Sequence, residues 1–357
     1  MDLTSGSVES KRVPVTPAKE VSTDYDVRVR TRAFGPGVTV VGCGDLSLAI
    51  AANRGVDARE VERTLHHAIE LGITLVDVHA EPDAERLAGD AIRSQRARDR
   101  VTVAVTIPLV PPRPGVARRD VLPELLPARY VQESVEAALR STRLDALPLV
   151  LLPLRSAWRD STAWGELVGT CARLVQEGKV LAWGARLDEI DDGSIGFTTE
   201  PWIAALSVVY SFLDRTAEEL LATKTPVLAR QPLAGGVLSG TLGTGMKMPP
   251  RDDRAAMTRE QLEQAAVIAA RLACELRTEP LSARSCEPSR EVLEKGKRPD
   301  HVEANTAAEL ALRFVIDQGA IALPRLHRYA NVLDAVIAGS APPLSRALID
   351  RIVDANR

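Results

Sequence analysis

The sequence predicts a (β/α)8 barrel, and three observations support that fold class. From about residue 38, short apolar runs alternate with segments of helical periodicity about eight times, over about 330 residues. The runs are apolar throughout rather than at every second position, which is typical of parallel strands covered by helices. No G-x-G-x-x-G motif follows a strand and opens a helix, which argues against an open dinucleotide-binding sheet. The length and the alternation together favour one closed barrel.

Four strands are predicted in the first half of the barrel, and each is a run rich in Val, Leu or Ile: residues 38–44, 73–78, 101–107 and 149–152. Helices are predicted to alternate with them at residues 57–72, 84–94, 130–141 and 165–178. The first helix carries signals at both of its ends. Asp57 and Glu60 form a D-x-x-E capping box, and Gly72 is a residue type that commonly ends a helix.

The second half of the barrel continues the same alternation. Strands are predicted at residues 180–185, 204–209, 226–230 and 320–324. Helices are predicted at residues 216–222, 306–319 and 345–356, with a further long helical tract after the strand at 226–230. The last helix closes the chain.

The domain organisation is predicted to be simple. Residues 1–28 are polar, contain Pro and lack periodicity, so we expect a disordered leader. Residues 29–357 are expected to form a single barrel domain with insertions at about 108–128 and 275–305. The Pro-rich first insertion follows the third strand, at the face where barrel active sites lie. It is interpreted either as a lid over a pocket or as a solvated excursion.

Composition and charge restrict the classes of function. Hydrophobic residues make up 45% and charged residues 26% of the chain, which is ordinary for a soluble globular protein. The net charge of −3 and the lack of long charge runs imply neither a nucleic-acid nor a membrane-surface partner. The four cysteines are far apart and predict no metal site. The N-terminus lacks the apolar region of a secretory signal, so a cytoplasmic location is expected.

Five segments in the expected order resemble the aldo-keto reductase family: residues 68–92, 175–185, 208–221, 227–240 and 306–324. The most specific of them is VLARQPLAGGVLSG, at 227–240. The resemblance covers nearly the whole chain after about residue 30 and implies the family's TIM barrel. It also implies NADPH-dependent carbonyl reduction, in which a Tyr protonates the carbonyl oxygen.

The residues that carry out this reaction in the family are mostly replaced. The family's catalytic Asp matches Asp77, but its catalytic Tyr falls on Pro82. The catalytic Lys falls on Thr106, and the catalytic His falls on Pro153. Because general acid catalysis needs a proton donor and a charge that tunes it, we expect no ordinary carbonyl reduction.

The resemblance also assigns positions for the nicotinamide of NADP(H). The family's Ser-Asn pair falls on Arg186 and Leu187, and its Gln falls on Ser207. Tyr210 keeps the place of the residue that stacks on the nicotinamide ring. NADP(H) is thus implied as a cofactor by the family, while the replaced residues count against it.

The family's phosphate-binding motif follows the eighth strand, and it is also altered here. The motif's Gly falls on Arg325, and its Glu-Asn pair falls on Leu333 and Asp334. Arg328 is retained and is able to grip a 2′-phosphate. Arg325 and Arg328, with Tyr210, are therefore the expected cofactor contacts.

An acidic loop after the second strand offers another chemistry. Asp77 and His79 lie two residues apart at a strand end, which places both side chains on one side. Together they form a candidate acid–base pair. The alternative interpretation concerns the carboxylates that follow, Asp83 and Glu85, which suit the N-terminus of a helix and its dipole.

Arginines near the carboxyl ends of strands predict a basic pocket. Arg155 and Arg186 follow the fourth and fifth strands, and Arg325 and Arg328 follow the eighth. Such a set suits a carboxylate or phosphate ligand. Thr106, at the end of the third strand, is assigned to the same ligand-contacting set. Alternatively, one arginine pairs with Asp77 as a structural bridge.

These observations favour a barrel that binds a small, anionic organic ligand and has lost ordinary carbonyl reduction. Three alternatives remain open. One is an NADP(H)-dependent oxidoreductase in which His79 or Asp77 replaces the missing acid. Another is a non-redox lyase or isomerase that uses the same two residues. The last is a partner-binding subunit, and the sequence does not decide the oligomeric state.

Overall fold

The computed structural model describes residues 29–32, 38–112, 119–242, 246–277 and 307–354. A short antiparallel hairpin comes first, formed by β1 (Thr31–Arg32) and β2 (Val38–Thr39). Eight parallel strands follow: β3 (Cys43–Leu46), β4 (Leu75–Val78), β5 (Thr102–Thr106), β6 (Leu149–Pro153), β7 (Trp183–Leu187), β8 (Ile203–Val209), β9 (Val227–Arg230) and β10 (Ile321–Leu323). The predicted (β/α)8 barrel is therefore confirmed.

The barrel closes where β3 meets β10. The N–H of Gly42 donates to the carbonyl of Ala322 at 2.9 Å, and the N–H of Ala322 donates to Val40 at 2.9 Å. The approach is so close at Gly44 that a Cβ would overlap the carbonyl oxygen of Leu323. The strand predicted at 38–44 is divided in the structure. Its first residues belong to the hairpin, and only its end enters the barrel.

Helices cover the outside of the barrel: α1 (Leu48–Asn53), α2 (Ala58–Glu70), α3 (Pro82–Ser94), α4 (Leu122–Leu125), α5 (Ala128–Thr142), α6 (Trp164–Gln176), α7 (Glu218–Leu221), α8 (Arg259–Arg277), α9 (Ala307–Asp317), α10 (Tyr329–Ser340) and α11 (Arg346–Asp354). Half of the predicted capping box forms at α2. Asp57 accepts the N–H of Glu60 at 2.8 Å, whereas the Glu60 carboxylate pairs with Arg328 at 3.4 Å.

Sequence analysis did not predict α10. Most of its residues are buried, and it contacts α2 and α9. A helix that is apolar on nearly every side lacks the period of a half-exposed helix. The signal on which the other helices were identified is therefore absent from this one.

Two apolar layers hold the barrel together. The inner layer fills the barrel and includes Leu75, Ala104, Leu151, Leu228 and Ile321. The outer layer is larger and lies between the strands and the helices. Successive side chains of a strand point to opposite faces, so the residue two positions after each inner-layer side chain also points into the barrel. This alternation decides which side chains reach the barrel mouth.

Parts of the predicted organisation fall outside the described residues. These parts are the leader at 1–28, residues 113–118 of the first insertion and most of the second insertion. The described end of the first insertion includes the short helix α4, whose Leu122 and Leu125 are buried. The N–H of Val110 donates to the carbonyl of Leu125 at 2.9 Å, and Leu122 and Leu125 belong to the outer apolar layer, so this part of the insertion packs on the barrel. No described helix is long and apolar enough to span a membrane.

Candidate functional site

The inward-facing side chains change character at the carboxyl ends of the strands. Two positions beyond the apolar inner layer stand these residues: Asp77, Thr106, Pro153, Arg186 and Arg230. Residues at this end of a barrel form the active sites of enzymes with this fold. The barrel mouth is therefore the place to examine for function.

A cavity of about 310 Å³ opens at the barrel mouth, near the lower end of the range for small-molecule sites. Five arginines line it: Arg54, Arg186, Arg230, Arg254 and Arg325. Three aspartates and one histidine line it as well: Asp45, Asp77, Asp334 and His79. The cavity wall therefore carries an excess of positive charge.

Asp45 connects the acidic residues of the cavity. Its N–H donates to Asp77 Oδ2 at 3.1 Å. Its Oδ1 lies 3.0 Å from Nδ1 of His79, and its Oδ2 accepts the Nε–H of Arg325 at 2.9 Å. Asp45 has a φ of 49°, a left-handed conformation that Asp tolerates better than most residues. Asp77 and His79 are thus both bonded to Asp45.

The three groups have different protonation behaviour. Burial, together with the nearby charge of Asp45, raises the pKa of Asp77 to about 6. Burial also opposes ionisation of Asp45, but His79 and Arg325 outweigh it and hold the Asp45 pKa well below its usual range. The hydrogen bond to Asp45 raises the pKa of His79, although burial partly offsets it. Near neutral pH, Asp45 is an anion that stabilises the charged form of His79.

Carboxylates outside the cavity lining hold the arginines in position. Asp188 accepts hydrogen bonds from Arg186 Nε at 3.0 Å and from Arg230 Nη2 at 2.8 Å. Asp252 accepts from Nε and Nη2 of Arg254 at 2.9 and 2.6 Å. Neither Asp188 nor Asp252 lines the cavity. Arg186, Arg230 and Arg254 are thereby held in position, an arrangement that preorganises a binding site.

Four of the eight predicted site residues line the cavity. These four are Asp77, His79, Arg186 and Arg325. The structure brings them together from three strand ends, as the sequence predicted. Their roles in catalysis or binding stay predictions.

The other four predicted residues lie elsewhere. Arg155 pairs with Asp120 and Glu189, Arg328 pairs with Glu60, and Thr106 is buried without lining the cavity. The ring of Tyr210 is fully buried and nearly parallel to that of Phe314, with 6.3 Å between the ring centroids. The geometry gives these four residues no place at the cavity.

The nicotinamide positions can be tested in the same way. Of Arg186, Leu187, Ser207 and Tyr210, only Arg186 lines the cavity. Leu187 is buried in the outer layer, and Ser207 is fully buried. Three of the four positions that the family resemblance assigns to the nicotinamide therefore lie outside the cavity lining.

The acidic loop has mainly structural contacts. Glu81 accepts the hydroxyl hydrogen of Ser47 at 2.6 Å beside the start of α1. Asp83 and Glu85 lie in the first turn of α3, the arrangement that the alternative interpretation of this loop described. Within the described ranges, no group of three or more His, Cys, Asp or Glu side chains is placed to hold a metal ion.

Four charged residues of the cavity lining were not singled out from the sequence. Asp45 and Arg230 each stand at the end of an apolar strand, so charge at a strand end was a usable signal. Arg54 ends α1, and Arg254 lies in a 3-10 turn at Asp253–Ala256. Nothing in the local sequence distinguishes these two arginines from surface arginines.

Comparisons with known proteins agree with this fold. The profile of the aldo/keto reductase family matches residues 41–357. Methylglyoxal reductase YeaE of Escherichia coli (strain K12) is 29% identical over 214 residues, which cover 54% of this chain and 66% of that enzyme. The match thus spans just under two thirds of the relative's length.

Solved structures give the same result. Glycerol dehydrogenase AKR11B4 from Gluconobacter oxydans superposes with a TM-score of 0.66 at 19% identity, over 91% of this chain and 94% of the other. An aldo-keto reductase from Klebsiella pneumoniae in complex with NADPH has a TM-score of 0.59 at 20% identity, over 92% and 95% of the two chains. These likenesses concern the fold, and the family profile covers most of the sequence. The chain belongs to the aldo-keto reductase family.

Proposed function

We propose that this protein binds a small anionic organic ligand in the cavity at the barrel mouth and does not perform the family's ordinary NADPH-dependent carbonyl reduction. The observation that carries the proposal is the lining of five arginines. The carboxylates that balance several of them, such as Asp188 and Asp252, do not line the cavity. A ligand in the cavity meets guanidinium groups, which bind carboxylates and phosphates through charge-assisted hydrogen bonds.

The replaced catalytic positions support the negative part of the proposal. Pro82 is the first residue of α3 and Pro153 is the last of β6, and neither side chain carries a proton to transfer. Thr106 ends β5 and has no charge with which to tune a neighbouring acid. Loss of a general acid costs about 10²–10⁴-fold in rate.

The family's cofactor enters only as a hypothesis. Relatives are solved with NADPH or with NADP and acetate. In this chain, Arg325 lines the cavity and is a candidate contact for a phosphate. Because three of the four nicotinamide positions lie outside the cavity lining, we assign no reaction step to NADP(H). A small-molecule ligand is the proposed partner, and a cytoplasmic location stays a prediction.

The test combines ligand binding with an activity assay. The melting temperature of the full chain is measured with a panel of organic acids and, separately, with NADPH. An acid at 100 times its Kd should stabilise the protein by about 2.7 kcal/mol, a rise of several degrees. Arg186→Gln should remove the rise, whereas the exposed Arg129→Gln should keep it.

Two results would overturn the proposal. One is that no acid in the panel stabilises the protein. The other is robust NADPH-dependent turnover of a simple aldehyde that is abolished by Arg186→Gln and retained by Arg129→Gln. The second result would favour the substitute-acid oxidoreductase instead.

A non-redox lyase or isomerase is a second candidate, and one observation favours it. Asp77, with its pKa near 6, and His79 line the same cavity and are both bonded to Asp45. A carboxylate with such a pKa is able to take a proton from a bound ligand near neutral pH and return it. The test is exchange of ligand C–H for solvent deuterium, followed by NMR. Asp77→Asn and His79→Gln should each stop the exchange; absence of exchange in the wild type would leave binding alone.

A further inference from the structure

We infer that the ligand is a small organic dianion whose two anionic groups bind at opposite sides of the cavity. The inference rests on the proposed function and makes it more specific. Two groups of arginines carry it. The strand pair consists of Arg186 and Arg230, and the helix trio consists of Arg54, Arg254 and Arg325.

The positive charge of the strand pair exceeds the negative charge of the carboxylate in contact with it. Arg186 and Arg230 share the single carboxylate of Asp188. Arg230 is only 8% exposed, and its Nε has no hydrogen-bond partner among the described residues. Burial and then the charge of Arg186 lower the Arg230 pKa. The pair thus carries one positive charge more than the carboxylate that it shares, and an anionic group of a ligand can balance that charge.

Asp77 is the other acid that acts on the strand pair. The charges of Arg186 and Arg230 favour its ionised form, but burial dominates and raises its pKa. Asp77 forms no ion pair within 4.0 Å of either arginine in the described part of the chain. Among the described residues, Asp188 is thus the one carboxylate that forms an ion pair with Arg186 and Arg230.

The helix trio has as many carboxylate partners as arginines, but one of its three ion pairs is weak. Asp45, Asp252 and Asp253 each pair with one arginine of the trio. The partner of Arg54 is Asp253, whose side chain is 71% exposed, so this ion pair is weak. Burial and the charges of Arg254 and Arg325 lower the Arg54 pKa. The buried Nε of Arg54 lacks a partner within the ranges that the structure describes.

The topology places the two groups apart. The strand pair is anchored on Asp188, just after β7, and Arg325 of the trio is bonded to Asp45 on β3. In a ring of eight strands from β3 to β10, β3 and β7 are diametrically opposite. A molecule with an anionic group at each end can contact an arginine on each side. The volume of about 310 Å³ restricts that molecule to a short carbon skeleton.

Calorimetric titration of the full chain with matched probes tests the inference. Succinate carries two carboxylates and butyrate carries one on the same four carbons. A second pair, 3-phosphoglycerate and glycerol 3-phosphate, keeps a phosphate at one end and differs in whether the other end carries a carboxylate. At least one probe with two anionic groups should bind roughly 10- to 100-fold more tightly than its matched probe with one, the range expected for one further charge-assisted contact.

Variants of the arginines identify which group of arginines binds each end of the ligand. Arg230→Gln and Arg54→Gln should each remove most of the difference within a probe pair, while Arg129→Gln should retain it. Should either variant fail to fold, Arg186→Gln replaces it for the strand pair and Arg254→Gln for the helix trio. Equal affinity for both members of each pair would overturn the dianion and leave the proposed function intact. Absence of binding by all four probes would count against both.

Discussion

Asp77 provides the sharpest test of the electrostatics at the barrel mouth. Its side chain is buried and accepts the N–H of Asp45 at 3.1 Å. Its pKa is raised from the ordinary 3.8 to about 6, which corresponds to about 3 kcal/mol. Because the folded-state pKa lies above the unfolded value, ionisation of Asp77 destabilises the fold.

This destabilisation is absent below about pH 3.8, grows as the pH rises and is complete above about pH 6. Asp77→Asn removes the charge and keeps a side-chain oxygen that can accept from Asp45. The variant should therefore match the wild type near pH 4 and exceed its stability by up to about 3 kcal/mol at pH 8.

Urea unfolding between pH 4 and pH 8 measures this difference. Subtracting the wild-type curve from that of the variant cancels the other titrating groups. Asp99→Asn is the matched control, since Asp99 is exposed. A variant less stable than the wild type at pH 8 would refute the reasoning and show that Arg186 and Arg230 stabilise the Asp77 carboxylate in full.

Two further predictions concern other charged contacts. Asp45→Asn should lower the pKa of His79, because the bond to Asp45 is the main cause that raises it; an NMR titration of the ring protons measures this, and an unchanged His79 pKa would contradict the contact. Glu309→Gln should destabilise the fold by about 3–5 kcal/mol, since Glu309 and Arg313 form a buried pair at 3.3 Å. Urea unfolding checks the loss against Glu263→Gln, which breaks an exposed pair in α8 and should cost under about 1 kcal/mol.

The sequence by itself determined the fold class, because strand and helix periods are local properties. Seven of the eight barrel strands match the predicted runs within about three residues. The family assignment and the replacement of its catalytic residues at Pro82, Thr106 and Pro153 were also visible in the sequence. The alternation of side chains along a strand is also a local property, and it placed Asp77 and Arg186 at the barrel mouth.

Only the tertiary structure decided how the charges are paired. Asp45 contacts Arg325, 280 positions away in the sequence, and it does so from a left-handed backbone conformation within β3. Arg54 and Arg254 reach the cavity from a helix end and a 3-10 turn whose local sequences resemble surface segments. Such contacts depend on the closure of the ring and on the paths of the loops. Neither the closure of the ring nor the loop paths can be deduced from the hydrophobic period of a single helix or strand. The cavity and its charge are therefore determined only by the tertiary structure.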